Sequence, residues 1–502
     1  MGLSRRRKIL VTLATLIGTF LAALDSTVVG TAMPTVIGDL GGLGLYPWVF
    51  AAYLLAATVT GPVFGRLSDA YGRKPVYLLG VSLFLLGSVL CGTAGSMGAL
   101  ILYRTIQGLG AGAVQPVAVT IVGDIFELET RARIQGLFGA VWGISAVIGP
   151  AAGGLITDYL SWRWVFFVNV PFGVAAGALL ALALRESFER RPGRPDYLGV
   201  SLLTGGLVAV LLAVLGVGSL PAGIALFSGG ACALALFVLA EARAPNPVVP
   251  LDLFRERLFA VASAGNAALG GVLLGVSVYV PLYVQGALGG TALTAGAVVA
   301  PLSIGWPVGS FVGGRMLLKA GYRATLLLGA AFVVAGSAMC LPLDASTPLA
   351  YVILAVFVIG LGMGFSSTSY LVSVQNAVPW HRRGIATSSV VFFRTIGGSL
   401  GVAVMGALLN LSLGDRYRAA VERVAGDDGT LARLLSDPNA LLQPALRARI
   451  PDEAYEELAA ALATALSPAF WAVAVMAVAA LVISALFPAG KAEDFVKREP
   501  RP

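Results

Sequence analysis

The sequence predicts an all-α membrane protein that crosses the bilayer many times. Hydrophobic residues make up 57% of the 502 residues and charged residues only 12%, a composition that excludes a set of soluble domains. The hydrophobic residues lie in long runs, and each is close to the roughly 20 residues that a helix needs to cross a bilayer. The charged residues lie mainly in the short breaks between these runs.

Fourteen such runs are predicted to be transmembrane helices. The first run follows the basic segment Ser4–Lys8 and contains Asp25. Because many further runs follow it, we interpret it as an uncleaved first helix and not as a secretory signal. The predicted spans are 9–33, 46–66, 75–95, 98–123, 132–157, 163–184, 197–217, 221–241, 258–286, 293–316, 322–342, 348–376, 384–412 and 467–487.

The distribution of basic residues predicts the orientation of the chain. Lys and Arg are concentrated in alternate loops, and the short loops on the opposite side carry only Arg163. The positive-inside rule therefore predicts cytoplasmic N- and C-termini. The net charge of +8 then reflects topology and contact with anionic membrane lipids, so no nucleic acid partner is expected. All three cysteines lie in apolar runs, and we expect no disulfide framework, metal site or cofactor.

Two parts of the chain are weakly similar at a spacing of about 252 residues, as expected of transporters built from parallel repeats. The glycines Gly108, Gly110 and Gly112 recur as Gly360, Gly362 and Gly364. Gly65 and Gly72 recur as Gly314 and Gly321 at a slightly shorter spacing. The polar residues do not recur, since Arg104 is matched by Val356 and Asp69 by Leu318. The repeats predict two pseudo-symmetric six-helix halves, with two further helices inserted between them.

The predicted domain organisation follows from the spans and the repeats. The polar segment near 413–466 is expected to form an external helical hairpin, which we interpret as a solvated cap; the alternative is an element that binds a partner or guides substrate. The predicted boundaries are 1–190 for the N-terminal six-helix half, 191–250 for the two inserted helices and an inner loop, 251–412 for five helices of the C-terminal half, 413–466 for the hairpin, and 467–502 for the last span and a cytoplasmic tail.

A charged turn between the second and third spans has a specific glycine spacing. It follows the pattern G-x-L-x-D-x-x-G-R-K through Gly65, Asp69, Gly72, Arg73 and Lys74. An ordinary solvated turn would explain the charges but not the spacing of the glycines. The pattern resembles the major facilitator superfamily. The resemblance implies the major-facilitator fold, here with fourteen spans, and a role for this loop as a conformational switch at the inner membrane face.

Asp25 is the only carboxylate placed well inside an apolar span, and intramembrane acids are commonly functional. It lies roughly 12 Å from the outer end of its helix, and Arg104 lies roughly 10 Å from the outer end of the fourth span. The two residues therefore share a depth. We expect Asp25 to be the proton-coupling acid and Arg104 to modulate it; a static ion pair that joins two helices is the alternative. The segment from Arg104 to Gly112 also resembles the fourth-helix pattern of the superfamily.

The fifth span contains Gly149, Pro150, Gly153 and Gly154, which resemble the fifth-helix pattern of proton-driven drug antiporters. Proline bends a helix and glycines permit close helix contact. The segments 24–29 and 162–171 resemble the fourteen-span drug:proton antiporter branch. This resemblance implies multidrug efflux, and with it antibiotic resistance.

Polar and aromatic residues in other spans are candidates for the lining of a substrate cavity, although each is also compatible with ordinary helix packing. For Arg394, an interaction with backbone carbonyls at a glycine-rich helix contact is the favoured interpretation, and binding of an anionic group is the alternative. The candidates are Gln107, Gln115, Asn266, Tyr279, Tyr283, Trp306, Tyr370, Gln375 and Arg394.

These observations predict a transporter and not an enzyme. No Walker loop is present in the sequence, so the proton gradient is the expected energy source. The expected function is proton-coupled export of small hydrophobic or amphipathic compounds across a bacterial inner membrane, by a monomer. The alternatives are a dedicated exporter of a lipid, siderophore or antibiotic that uses the external hairpin, and a membrane receptor or scaffold that transports nothing.

Overall fold

The computed structural model describes most of the chain. The described residues are 4–126, 128–186, 196–216, 219–244, 249, 251–378, 383–425, 435, 438–447 and 450–489. Within these ranges all regular structure is helical, which confirms the all-α prediction. The predicted external hairpin lies partly outside the described residues, and the tail after 489 lies wholly outside them.

Fourteen helices carry the fold within the described ranges and are numbered here in chain order. Short helical turns at Leu43–Leu45, Leu251–Arg255, Pro438–Leu442 and Pro444–Arg447 connect some of them. The helices are α1 Arg5–Leu40, α2 Tyr46–Tyr71, α3 Arg73–Gly92, α4 Met97–Ile125, α5 Leu128–Tyr159, α6 Trp164–Phe167, α7 Asn169–Ala183, α8 Tyr197–Val214, α9 Leu220–Glu241, α10 Arg257–Gly286, α11 Ala292–Met339, α12 Leu349–Ala377, α13 Arg383–Ala425 and α14 Asp452–Ala485.

Twelve helical segments in the described ranges are long and apolar enough to cross a membrane, so the chain is a multi-pass membrane protein. One of them joins α6 and α7 over Trp164–Ala183. The long helix α11 contains a break at Gly321 and therefore corresponds to two of the predicted spans. The helix α8 adds a shorter apolar stretch, Leu198–Val214. With these two additions the helices are compatible with fourteen spans.

Two glycines turn the chain between successive spans. Gly72, between α2 and α3, has φ 102°, and Gly321, inside α11, has φ 81°. Residues with a side chain rarely adopt this region, so glycine is required at both turns. The sequence repeat pairs these same two positions. The local similarity therefore extends to backbone conformation.

The chain divides into two compact units, of which the first contains α1 to α9. In this unit α4 packs against α2 and α3, while α1 packs against α5 and α7. Helix α4 approaches its neighbours closely through the α4 glycine set, defined as Gly108, Gly110 and Gly112. A Cβ atom at any of the three would lie within 3 Å of backbone atoms of α2 or α3. These contacts fix the register of α4 against both helices.

The second unit contains α10 to α14. Its main contacts are between the two parts of α11 and α12, and between α10, α13 and α14. The α12 glycine set, defined as Gly360, Gly362 and Gly364, plays the same packing role as its counterpart in the first unit. A Cβ atom at any of these positions would lie within 3 Å of a backbone carbonyl oxygen of α11.

The segment predicted as an external hairpin is helical at both ends. Helix α13 continues past residue 412 to Ala425, and α14 begins at Asp452, well before the predicted start of the last span. Arg423 of α13 and Glu457 of α14 form an ion pair at 2.9 Å. Residues 426–434 lie outside the described residues. The spans therefore extend into the polar segment as continuous helices.

Candidate functional site

A buried ion pair lies in the membrane-spanning part of the first unit. The Nη1 atom of Arg104, on α4, donates a hydrogen bond to Oδ2 of Asp25, on α1, at 2.6 Å. Each residue is only 1% exposed. The structure thus brings together the two residues for which the sequence predicted a shared depth. A charged pair this deeply buried requires further hydrogen bonds to offset its loss of hydration.

Three neutral polar side chains supply those hydrogen bonds. Gln107 Nε2 donates to Asp25 Oδ1 at 2.8 Å and to Ser88 Oγ at 2.7 Å. Asn169 Nδ2 donates to the same two atoms at 3.1 and 3.2 Å. Gln107 Oε1 accepts a hydrogen bond from Arg104 Nη1 at 2.7 Å. The Asp25 carboxylate therefore accepts three hydrogen bonds, and helices α1, α3, α4 and α7 meet at this one cluster.

An aromatic ring covers one face of the Arg104 guanidinium, whose edge makes the hydrogen bonds described above. The Cζ atom of Arg104 lies 3.9 Å from the centre of the Tyr53 ring on α2, which is a close cation–π contact. Arg104 Nε also points toward the backbone oxygen of Val49, 3.5 Å away. Arg104 is therefore held by an acid, an amide, a carbonyl oxygen and a ring. We call Asp25, Ser88, Arg104, Gln107 and Asn169 the buried polar cluster.

Close helix contacts explain how the cluster is assembled. Arg104 and Gln107 are three residues apart on α4 and therefore share one face of that helix. A Cβ atom at Gly87 would overlap the backbone of Gln107, so α3 touches α4 at this level and presents the next residue, Ser88, to the amide of Gln107. Gly173 of α7 lies similarly against Leu85 of α3. One turn earlier on α7, Asn169 reaches Ser88.

The predicted antiporter motif packs against the helix that carries Asp25. Cβ atoms at Gly149 and Gly153 of α5 would overlap Thr27 and Thr31 of α1. The Thr27 hydroxyl also donates to the backbone oxygen of Ser145, on α5, at 3.1 Å. Pro150 lies inside α5, and Gly154 is buried. The motif therefore determines how closely α5 approaches α1 just beyond the buried polar cluster.

The predicted switch loop has partners within the first unit. The Glu186 carboxylate accepts hydrogen bonds from the backbone N–H groups of Arg73 and Lys74, at 2.8 and 3.1 Å, and so neutralises the first turn of α3. Arg73 Nε forms an ion pair with Asp124 of α4 at 2.7 Å.

Lys74 donates to the carbonyl oxygens of Ala181 and Leu184 at the end of α7, at 2.5 and 3.1 Å. Gly65 has open space around its Cβ position. The side chain of Asp69 lies outside the described residues. The loop thus links α3, α4 and the end of α7.

Most of the other candidate residues use their polar groups in helix packing. The three tyrosine hydroxyls are hydrogen-bonded within the second unit: Tyr279 donates to the carbonyl oxygen of Val402, Tyr283 donates to that of Asp344, and Tyr370 pairs with the hydroxyl of Ser484. Asn266 donates to the carbonyl oxygen of Ala262, and Gln375 to the hydroxyl of Thr387. Gln115 is exposed. Of this list only Gln107 joins the buried polar cluster.

Arg394 lies on α13 and is partly buried. Its guanidinium carbon is 5.7 Å from the centre of the Trp306 ring on α11. In the described part of the chain it donates no hydrogen bond to a backbone carbonyl, so the interaction that the sequence favours is not formed. Arg394 thus differs from Arg104, whose charge is fully paired.

Sequence reasoning missed Ser88, Asn169, Tyr53, Glu186 and Asp124. Asn169 is a polar residue in an otherwise apolar run, and this signal marks it as a candidate. Ser88 and Tyr53 give no such signal, because which side of α3 or α2 faces α4 depends on the glycine contacts. Glu186 and Asp124 are acids near the predicted inner loops, where their pairing with the switch loop depends on how the helix ends meet.

The sequence matches the family model described as Major Facilitator Superfamily over residues 15–402. It is 35% identical over 419 residues to the multidrug transporter protein MdtP of Bacillus subtilis, covering 82% of this chain and 77% of that protein. It is 34% identical over 466 residues to multidrug resistance protein 3 of Bacillus subtilis, covering 92% of this chain and 91% of that protein.

The fold also resembles solved structures. A bacterial homologue of the human lysosomal transporter Spinster superposes with a TM-score of 0.67 and covers 96% of this chain and 98% of its own. The sequence identity to that protein is 18%, so this similarity supports the fold alone.

Proposed function

Because the chain belongs to the major facilitator superfamily, we propose that this membrane transporter exports hydrophobic or amphipathic compounds in exchange for protons. Two relatives that are at least 34% identical carry names that describe multidrug transport or resistance. The single observation on which the proton-coupling proposal depends is the position of Asp25. It is a carboxylate buried in a membrane span, and it accepts hydrogen bonds from three donors, one of which is the arginine that balances its charge.

The proposed mechanism starts from the charge balance of the buried polar cluster. When Asp25 is ionised, its charge is compensated by Arg104. Adding a proton to Asp25 removes the counter-charge and leaves the guanidinium buried and unpaired, which is a costly arrangement. Protonation therefore favours a conformation in which Arg104 finds another partner or reaches water. A proton equilibrium and a conformational equilibrium are thereby linked.

The burial of Asp25 supports alternating access. At 1% exposure the carboxyl group has no contact with bulk water in this conformation. It exchanges protons with either side of the membrane only after the helices around it rearrange. Uptake from outside and release inside then accompany the conformational cycle, and each elementary charge that crosses 100 mV supplies about 2.3 kcal/mol.

The switch loop and the antiporter motif have supporting roles in this proposal. Contacts of Arg73 and Lys74 with Asp124, Glu186 and the end of α7 stabilise the inner ends of the first-unit helices in one conformation. The glycines of α5 set the position of α1, so that a movement of α5 is transmitted to Asp25. The basic loops orient the chain in a bacterial inner membrane with both termini in the cytoplasm.

The test uses the purified protein in proteoliposomes with an imposed pH gradient. The panel of probes contains a lipophilic cation, a neutral dye and a fluorescent lipid, and uptake is compared between wild type and Asp25→Asn. Proton-driven transport of at least one probe by wild type, reduced to the level of empty liposomes in Asp25→Asn, is the expected result. Undiminished gradient-driven transport by Asp25→Asn would refute the coupling role.

A matched control is available on the same helix. Asp39 is also a carboxylate on α1, paired with Arg163 at 3.0 Å, but its side chain is 50% exposed. Asp39→Asn removes the same charge outside the buried polar cluster, so transport is expected to remain close to wild type. If only the lipid probe moves, the substrate is a lipid and the alternative of a dedicated exporter replaces multidrug efflux.

A further inference from the structure

Arg394 is a cation in a membrane span without a counter-ion in the described part of the protein. It lies eleven residues after Arg383 on α13, about 16 Å along the helix axis. A guanidinium has five N–H donors, and Arg394 uses none of them in a hydrogen bond or ion pair with a described residue. Arg104, by contrast, is buried and fully paired. An unpaired charge at this depth is costly and is expected to have a functional partner.

The backbone around Arg394 is held firmly while its side chain is left accessible. Gly270 of α10 lies directly against the carbonyl oxygen of Arg394, and Gly397 lies against the backbone of Ala267. At these two positions the backbones of α10 and α13 are therefore in direct contact. The side chain is nevertheless only partly buried, so a ligand can reach it.

One aromatic side chain lies close to this cation. The Trp306 ring centre is 5.7 Å from the guanidinium carbon. The charge therefore lies beside a polarisable apolar surface, which suits a ligand that combines an anionic group with an apolar or aromatic body.

We infer that Arg394 and Trp306 form a binding site for an amphipathic anion. The inference rests on the proposed function and narrows its substrate class. The guanidinium provides paired, charge-assisted hydrogen bonds to a carboxylate, sulfonate or phosphate group. Trp306 contacts the apolar body next to that group. The anion has two sources of the same chemistry, an exported compound and the headgroup of a membrane phospholipid.

The experiment measures equilibrium binding of two matched fluorescent probes to the purified protein in phosphatidylcholine nanodiscs. Anilinonaphthalene sulfonate is anionic, and phenylnaphthylamine has the same rings without the sulfonate. The variants are Arg394→Gln, Arg394→Lys, Trp306→Leu and Trp306→Phe. Arg315→Gln is the control, because Arg315 is also an arginine against an aromatic ring, 3.5 Å from the centre of Phe311, but is exposed.

We expect Arg394→Gln to weaken binding of the sulfonate probe by at least about tenfold and to change binding of the neutral probe by less than about twofold. Arg394→Lys keeps the charge and loses the paired donors, so we expect its affinity for the sulfonate probe to lie between those of wild type and Arg394→Gln. Trp306→Leu weakens both probes, Trp306→Phe weakens them less, and Arg315→Gln weakens neither. Equal sulfonate binding by wild type and Arg394→Gln, including no saturable binding by either, would overturn the inference.

A second arm distinguishes the two sources of the anion. If the natural occupant is a phospholipid headgroup, phosphatidylglycerol added to the nanodiscs competes with the sulfonate probe and lowers its affinity for wild type but not for Arg394→Gln. If the natural occupant is an exported compound, the affinity of the sulfonate probe is the same with and without phosphatidylglycerol. Equal losses of both probes in Arg394→Gln would mean that Arg394 is only structural, and would contradict the inference.

The inference and the proposed function fail in different ways. Binding in nanodiscs requires no proton gradient, so it tests the anion site alone. In proteoliposomes, gradient-driven transport of the neutral probe by both wild type and Arg394→Gln supports the proposed function whatever the fate of the sulfonate probe. Anion binding without any driven transport would support the site and reject the antiport.

Discussion

Helices α4 and α12 have the same spacing of glycines, but the residues beside those glycines are polar in α4 and apolar in α12. In each unit a glycine set brings one helix into backbone contact with its neighbours. Beside the α4 glycine set lie Arg104 and Gln107, whereas the corresponding residues beside the α12 glycine set are Val356 and Ile359, both fully buried. The comparison separates two roles of one repeat. The glycines determine helix packing, whereas the polar residues of α4, which have no counterpart on α12, contribute to the buried polar cluster.

The largest effect is expected when α4 is given the residue of α12. Arg104→Val leaves Asp25 ionised and buried without a counter-ion, so we expect a loss of about 3–5 kcal/mol of stability. Thermal unfolding in detergent measures this loss. The double variant Arg104→Val with Asp25→Asn removes both charges and is expected to regain most of the melting temperature. A double variant no more stable than Arg104→Val would contradict the pairing.

The second prediction concerns the close helix packing at the two glycine sets. Gly110→Leu and Gly362→Leu each force a side chain against the backbone of a neighbouring helix, and we expect each to cost about 1–3 kcal/mol or more through overpacking. Both variants are expected to lose thermal stability to a similar extent. Gly98→Ala in α4 is the control, because open space surrounds its Cβ position. A large effect in only one unit would show that the two glycine sets are not equivalent.

The third prediction concerns Asn169, which contacts Asp25 without carrying charge. Asn169→Leu removes one of the three hydrogen bonds to the buried carboxylate and leaves Ser88 with one donor fewer. We expect a loss of about 1–3 kcal/mol of stability, measured by thermal unfolding in detergent, together with slower gradient-driven transport. Asn169→Ser, which keeps a hydroxyl donor, is expected to lose less of both. Wild-type stability and transport in Asn169→Leu would show that this hydrogen bond does not support the cluster.

The smallest effect is expected at the switch loop, outside the glycine sets. Glu186→Gln removes the negative charge from the first turn of α3, which is worth about 0.3–1 kcal/mol at an exposed helix end. We expect Glu186→Gln to transport modestly more slowly than wild type at low salt. The difference is expected to shrink at high salt, because salt already screens the Glu186 interaction in wild type. A loss of transport as complete as that of Asp25→Asn would mean that the loop takes part in coupling.

The sequence predicts one half of the cluster well and the other half poorly. The depths of Asp25 and Arg104 follow from helical rise alone, and the structure places the two side chains in contact. Their neutral partners depend on helix rotation, which is set by glycine contacts between helices far apart in sequence. Ser88 and Tyr53 therefore become visible only in the folded protein.

The same limit applies to Arg394 and to the polar segment near the C-terminus. The sequence reveals that Arg394 is a cation within a span, but whether it has a protein partner depends on what surrounds it in the fold. The sequence predicts helices in 413–466 as an external hairpin, but not that they continue the spans without a break to Ala425 and from Asp452, because mixed charges there resemble a solvated segment. Helices that continue past the apolar region do not require an apolar sequence.

The proposed antiport requires Asp25 to carry the proton that is exchanged for substrate. Its most direct test is proton release by the purified protein in weakly buffered detergent, followed with a pH-sensitive dye as a transported compound is added. We expect release by wild type and Asp39→Asn and none by Asp25→Asn, with substrate binding retained in all three. Undiminished proton release by Asp25→Asn would contradict the claim.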